Sequence, residues 1–278
     1  MVELNQSCTC KSGLKYRECC LPLEEMIESM ASSGMCREFK VYAERYALNI
    51  LLKKSKVFKA FYDSERPKII NRIVWAVDSS LSANMRTAFW PSDNYNIIIL
   101  KKVPIDLVDT FDAAHELRHL LLGQEGFPMA SITDYGSRNG FDTRFATVLL
   151  NSVMDPLVNS GLSEYGFDLW SYFDKCSQVQ RHFRETHFQP PLSDRHKYFE
   201  VSFYIQKALD YELANKQSQR PHDDFLEWFG LTFPVITQEA TIILNEIRLI
   251  GYDTPEKVRL ILAKIIKQYN MNDIINLQ

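Results

Sequence analysis

His115-Glu116-Leu117-Arg118-His119 is the stretch on which the reading of this chain depends. It spells HExxH. On a helix its two histidines stand four residues apart on one face, so both imidazoles reach a single metal ion. Glu116 follows the first histidine, the place for a carboxylate that takes a proton from a metal-activated water. Upstream, the chain enters the motif from Pro104 through apolar residues at Leu107, Val108, Phe111 and Ala114, and it leaves through Leu121 and Leu122. That spacing predicts one helix, with Gly123 as its stop. A buried histidine pair beside a glutamate needs a compensating group, and a divalent cation supplies one.

Outward from the motif, the segments Ile73–Val77 and Tyr95–Leu100 are short and β-branched, and Pro91-Ser92-Asp93-Asn94 makes a turn between them. They read as strands of a small sheet. Before them, Phe39, Tyr42, Ala43, Tyr46, Ile50 and Leu51 predict one long amphipathic helix from Arg37 to about Phe61. A helix, a small sheet and an HExxH helix in this order resemble the catalytic domain of the zincin metallopeptidases. The expected fold class is α+β and mainly helical, a zincin-like domain with a small β-sheet and an HExxH active-site helix.

The resemblance implies a third zinc ligand on a later helix, a His, Glu or Asp. Thr143 to Ser160, stopped by Gly161, is expected to be that helix. Asp155 is the chosen ligand, because it lies in the apolar run Leu150–Asn159 where a carboxylate needs a partner. Asn151, Asp155 and Asn159 also resemble a stretch downstream of HExxH in some phage-type metallopeptidases. Asn151 is expected to orient a ligand from behind, Pro156 to kink the helix, and Glu164 or Asp142 to be the alternative ligand. The implied activity is hydrolysis of a peptide bond in a protein or peptide substrate. A catalytic Zn2+ would be held by His115, His119 and Asp155, with Glu116 as the base. The rival expectation is a non-catalytic protein-binding module on a peptidase scaffold. Hydrolysis of a non-peptide bond would use the same residues.

A second metal signal lies near residue 1. Cys8, Cys10, Cys19 and Cys20 fall within the first twenty residues, four of the six cysteines in the chain. Thiolates packed this densely fit a closed structural Zn2+ site, which a segment too short for its own core needs in order to fold. With Ser12-Gly13 and Lys15-Tyr16 between the two pairs, the pattern resembles the SEC-C motif, known from the zinc tail of the bacterial preprotein-translocase motor ATPase. Cys20 stands where that tail has histidine, and either type binds zinc. The resemblance implies docking on a protein partner or the ribosome. The expected organisation is a SEC-C zinc-binding motif over residues 1–22, then a zincin-like metallopeptidase domain with a C-terminal helical part over 36–278. Cys36 and Cys176 read as ordinary thiols.

With 278 residues, 46% of them hydrophobic, the chain has enough apolar material for a large core, and its formal net charge of −3 points to neither a nucleic-acid binder nor an acidic tail. No window approaches the ~20 apolar residues of a membrane span. Met1-Val2-Glu3-Leu4-Asn5 lacks the basic and apolar regions of a signal peptide, so a cytoplasmic location is expected. The cysteines then read as thiols or metal ligands rather than disulfides.

The glycine-rich stretch from Gly123 to Asp142 reads as a loop along the substrate cleft, with Tyr135 as a surface residue. Residues 178–206 mix basic and aromatic side chains, but acidic residues and Pro190-Pro191 interrupt them. A linker followed by an amphipathic helix fits better than a nucleic-acid surface. His182, His187, His196 and His222 have no ligand spacing. Thr237–Ile250 reads as a helix ended by Gly251, and Thr254-Pro255 as the cap and first turn of a final helix through Lys267. Val258, Leu262 and Ile265 form its core face.

Overall fold

The structure is a computed structural model that describes residues 3–8, 15–18, 21, 40–79, 85–89, 95–128, 130–132, 140–187, 194–218 and 224–277. It is mainly helical with a small sheet. The chain divides into two compact units, Met1–Leu121 and Leu122–Gln278.

In the first unit, four strands form one sheet: β1 (Lys40–Tyr42), β2 (Arg72–Val77), β3 (Met85–Phe89) and β4 (Tyr95–Leu100), in the spatial order β1-β2-β4-β3. The two expected strands, β2 and β4, are the central parallel pair, with Ile73 opposite Asn96 and Trp75 opposite Ile98. Ile73 to Ala76 and Ile97 to Leu100 are all buried, the continuous apolar pattern of strands covered on both faces. β1 and β3 are antiparallel edges.

Instead of the single long helix expected before the sheet, the described residues form β1 and three short helices. These are α1 (Glu44–Ala47), α2 (Asn49–Lys54) and α3 (Lys56–Glu65). Ser55 causes the last break. Its backbone is extended (φ −104°, ψ 107°) and its side chain accepts from Phe58 N as the N-cap of α3. α3 then buries Phe58 and Phe61. Glu44 ties the group together, accepting from Tyr62 Oη at 2.7 Å and Arg66 Nε at 2.7 Å. Burial, and then the Glu44 carboxylate, push the Tyr62 hydroxyl well above its usual pKa.

The motif helix, α4 (Thr110–Gln124), follows a 3-10 turn at Leu107–Asp109. Leu107 and Val108 lie in that turn and are exposed, so they are not part of the apolar face. The face consists of Phe111, Ala114, Leu117 and Leu121, at helical spacing and all buried. Gly123 lies inside the helix, not at its end. The stop is Gly126, at φ +85°, with Phe127 N donating to Leu122 O at 3.0 Å and Gly126 N to Gly123 O at 3.2 Å. Those two bonds make a Schellman motif, which places the left-handed glycine three residues later than the sequence pattern suggested.

The second unit is a helical assembly. Its helices are α5 (Gly140–Ser163), α6 (Leu169–His187), α7 (Asp194–Ser218), α8 (Asp224–Thr232), α9 (Pro234–Ile250) and α10 (Pro255–Gln268). β5 (Ala130–Ile132) pairs antiparallel with β6 (Ile275–Leu277), so part of the expected loop after α4 is a strand. Tyr135 lies outside the described residues. α5 runs through both Pro156 and Gly161, the latter expected to stop it. Both positions are at least half-buried and Val153, Val158 and Leu162 are fully so, which shows packing overriding local preference. In the basic and aromatic segment, Arg184 is buried. It donates to Glu200 at 2.9 Å and lies 3.9 Å from the centroid of the Phe203 ring. The C-terminal reading holds: Gly251 has φ +77°, Thr254 Oγ1 accepts from Lys257 N at 3.4 Å, and Val258, Leu262 and Ile265 are buried. Among the described residues, no helix is long and apolar enough to cross a membrane.

Candidate metal site

α4 brings the two motif histidines together. Their Nε2 atoms are 3.0 Å apart, and the rings meet edge to face with centroids 4.7 Å apart. Two ring nitrogens facing each other at this distance share either a proton or a cation. Zinc–nitrogen bonds of about 2.0–2.1 Å span such a pair, so the donors fit the metal that the sequence implies. Both rings are half-buried, and the Phe111 ring lies 5.9 Å from that of His115.

Glu116 is positioned from the sheet. Its Oε2 accepts from the backbone N–H of Thr87 at 2.6 Å and from the Thr87 hydroxyl, which also lies 3.4 Å from the Glu116 carbonyl. Thr87 is in the middle of edge strand β3, where alternate N–H groups point away from the neighbouring strand. Sequence reasoning missed this residue. Nothing in Met85–Phe89 marks it, because its role depends on the pairing that brings β3 beside α4. Arg118 faces the other way and donates to Glu65 Oε2 at 3.1 Å. Glu65 is buried and also accepts from Lys68 at 2.7 Å, so the variable part of the motif is anchored to the end of α3.

On α5, Asp155 is only 7% exposed, and its Oδ2 accepts from Gln206 Nε2 of α7 at 2.6 Å. Asn159, one turn later, donates to Asp210 Oδ1 at 2.8 Å. Asn151 is half-buried on the same helix. Of the two alternative ligands, Glu164 is exposed just beyond α5, and Asp142 lies in its first turn. His182 and His196 are exposed, His187 ends α6, and His222 lies outside the described residues. Cys176 is half-buried in α6, and Cys36 lies outside the described residues.

In the cysteine segment the structure describes Cys8, which is buried against Tyr16 and Ala43. Around it, Ser7 bridges Lys15, and Tyr16 N donates to Gln6 O at 2.9 Å. Cys10, Cys19 and Cys20 lie outside the described residues. Residues 5–22 match the model of the SEC-C motif, so that motif is present here. No curated protein and no solved structure matches the chain.

Proposed function

We propose that this protein is a zinc-dependent metallopeptidase acting on a protein or peptide substrate in the cytoplasm, with a zincin-like catalytic domain. The observation that carries the reading is the facing pair of ring nitrogens on α4, 3.0 Å apart, with a glutamate in the next position after the first histidine. Asp155 is the third ligand in this reading. What supports it is chemical: a carboxylate buried in the apolar middle of α5 is a ligand type that zinc takes beside two histidines.

The chemistry that a zinc ion supplies when bound to such donors is an activated water and a polarised carbonyl. The chain's own contribution is proton transfer. Thr87 engages Glu116 Oε2, which directs Oε1 to accept a proton from the attacking water and return it to the leaving amine. The SEC-C motif holds a separate structural zinc through Cys8, Cys10, Cys19 and Cys20, and it docks the enzyme on a protein or ribosomal partner.

The hold of Thr87 on Glu116 is also the observation that favours a second reading, a binding module on a retired peptidase scaffold tethered by the SEC-C motif. One experiment addresses both. Full-length protein purified without added metal is assayed for zinc and compared with His115→Ala/His119→Ala. Two ions falling to one is the expected result; equal content in both proteins, even after zinc is offered, removes the metallopeptidase. Glu116→Gln should keep both ions and slow peptide hydrolysis by about 100- to 10,000-fold. Unchanged cleavage would take the base away from Glu116, and no cleavage by either protein of the peptides it captures would favour the binding module.

A further inference from the structure

We infer that Gln206 is a positioning residue for the metal site, fixing the carboxylate of Asp155 from α7. This rests on the reading of Asp155 as the third ligand. An aspartate on a helix turns about two side-chain torsions, and a ligand oxygen held in place costs less ordering when metal arrives. Gln206 Nε2 supplies the restraint by donating to Oδ2 at 2.6 Å, with Asp155 only 7% exposed. That bond fixes Oδ2 and with it the rotation of the carboxylate about its last torsion. The donor is a neutral amide. It orients the carboxylate without neutralising it, whereas a lysine or arginine there would compete with the metal for the same charge.

The restraint is built into the helix pair. Asp155 and Asn159 are one turn apart on α5, and Gln206 and Asp210 are one turn apart on α7. Asp155 bonds Gln206 and Asn159 bonds Asp210, so both bonds span the same sequence separation and the helices run in the same direction. The two rungs are complementary, carboxylate to amide and then amide to carboxylate. Lys207 reinforces the second rung, 3.5 Å from Asp210 Oδ2 and 5.8 Å from the centroid of the Phe173 ring. The second rung therefore sets the register of the helices, and the first sets the rotamer of Asp155.

The test measures zinc affinity at the histidine site of the full chain by chelator competition, with His115→Ala/His119→Ala as the baseline. Gln206→Met keeps the length and removes the donor. It should weaken zinc by about 10- to 100-fold and shift the visible bands of the cobalt-loaded protein, beyond a modest fall in metal-free melting temperature from the lost donor to a buried carboxylate. Gln206→Asn withdraws the amide by one methylene and should weaken zinc as well, so the test survives if one variant misfolds. Asn159→Ala breaks only the register rung; it should lower the melting temperature more while folded protein keeps its zinc affinity. Wild-type affinity and cobalt spectrum in both Gln206 variants, with zinc lost in Asp155→Ala, would overturn the inference and leave the metallopeptidase reading intact. Undiminished zinc in Asp155→Ala would remove the ligand assignment itself, and the role of Gln206 with it.

Discussion

α4 and the SEC-C segment both carry metal-ligand residue types at close spacing, but the described residues around them differ. α4 is fixed by the protein itself. Its apolar face is buried, Arg118 is tied to Glu65, Thr87 grips Glu116, and Gly126 closes the C-terminal end. Around Cys8 the described bonds are one bridge, a short 3-10 turn and a few backbone contacts, with Tyr16 and Ala43 as the apolar neighbours. A segment of about twenty residues is too short to build a hydrophobic core of its own. In the proposed reading, the ligands on α4 are arranged before metal arrives, while the metal itself orders the cysteine segment. The first suits an ion that does chemistry, because a preorganised site leaves a position open; the second suits an ion that replaces a core.

Three experiments sharpen or break this contrast. Zinc chelation should have the largest effect, confined to the cysteine segment. Structural zinc contributes about 10–16 kcal/mol in small metal-folded peptides. Hydrogen exchange should therefore show the amides of Tyr16 and Arg17 losing protection while those of α4 keep theirs; simultaneous loss in both would end the distinction. Arg118→Met comes next, because it removes a charged donor from a buried carboxylate. It should lower stability by about 1–3 kcal/mol in thermal or urea melts. A melt unchanged by this variant would mean that Glu65 does not anchor α4. The smallest effect belongs to Gly126→Ala. No atom lies within 4 Å of the added methyl, so only the left-handed backbone opposes it, at about 1–2 kcal/mol. Stability gained by that substitution would show that the helix does not end at this glycine.

How much of the protein was legible from sequence follows the range of the forces involved. β2 and β4 were readable because central strands buried on both faces leave an unbroken apolar run. β1 and β3 were not: Lys40-Val41-Tyr42 and Met85-Arg86-Thr87-Ala88-Phe89 carry the mixed composition of edges, and only their partners make them strands. Ser55 broke the expected long helix without a glycine or proline to announce it, while Gly161, expected to stop α5, did not. A single hydrogen-bonded cap outweighed periodicity in the first case, and burial among apolar neighbours outweighed local propensity in the second.

By itself the sequence determined the features whose cause lies within a few residues. These are the one-face placement of His115 and His119, the Thr254-Pro255 start and Gly251 end of the C-terminal helices, and the SEC-C match over residues 5–22. Helical spacing, caps and thiol pairs act over a turn or less, so they are visible in a string of letters. Only the tertiary structure decided what surrounds those features. It chose Thr87 to hold Glu116, Glu65 to hold Arg118 and Gln206 to hold Asp155, at separations of 29, 53 and 51 residues. A hydrogen bond is selective only at about 3 Å and in the right direction. Which residues come that close depends on how strands and helices pack, and no local pattern encodes it.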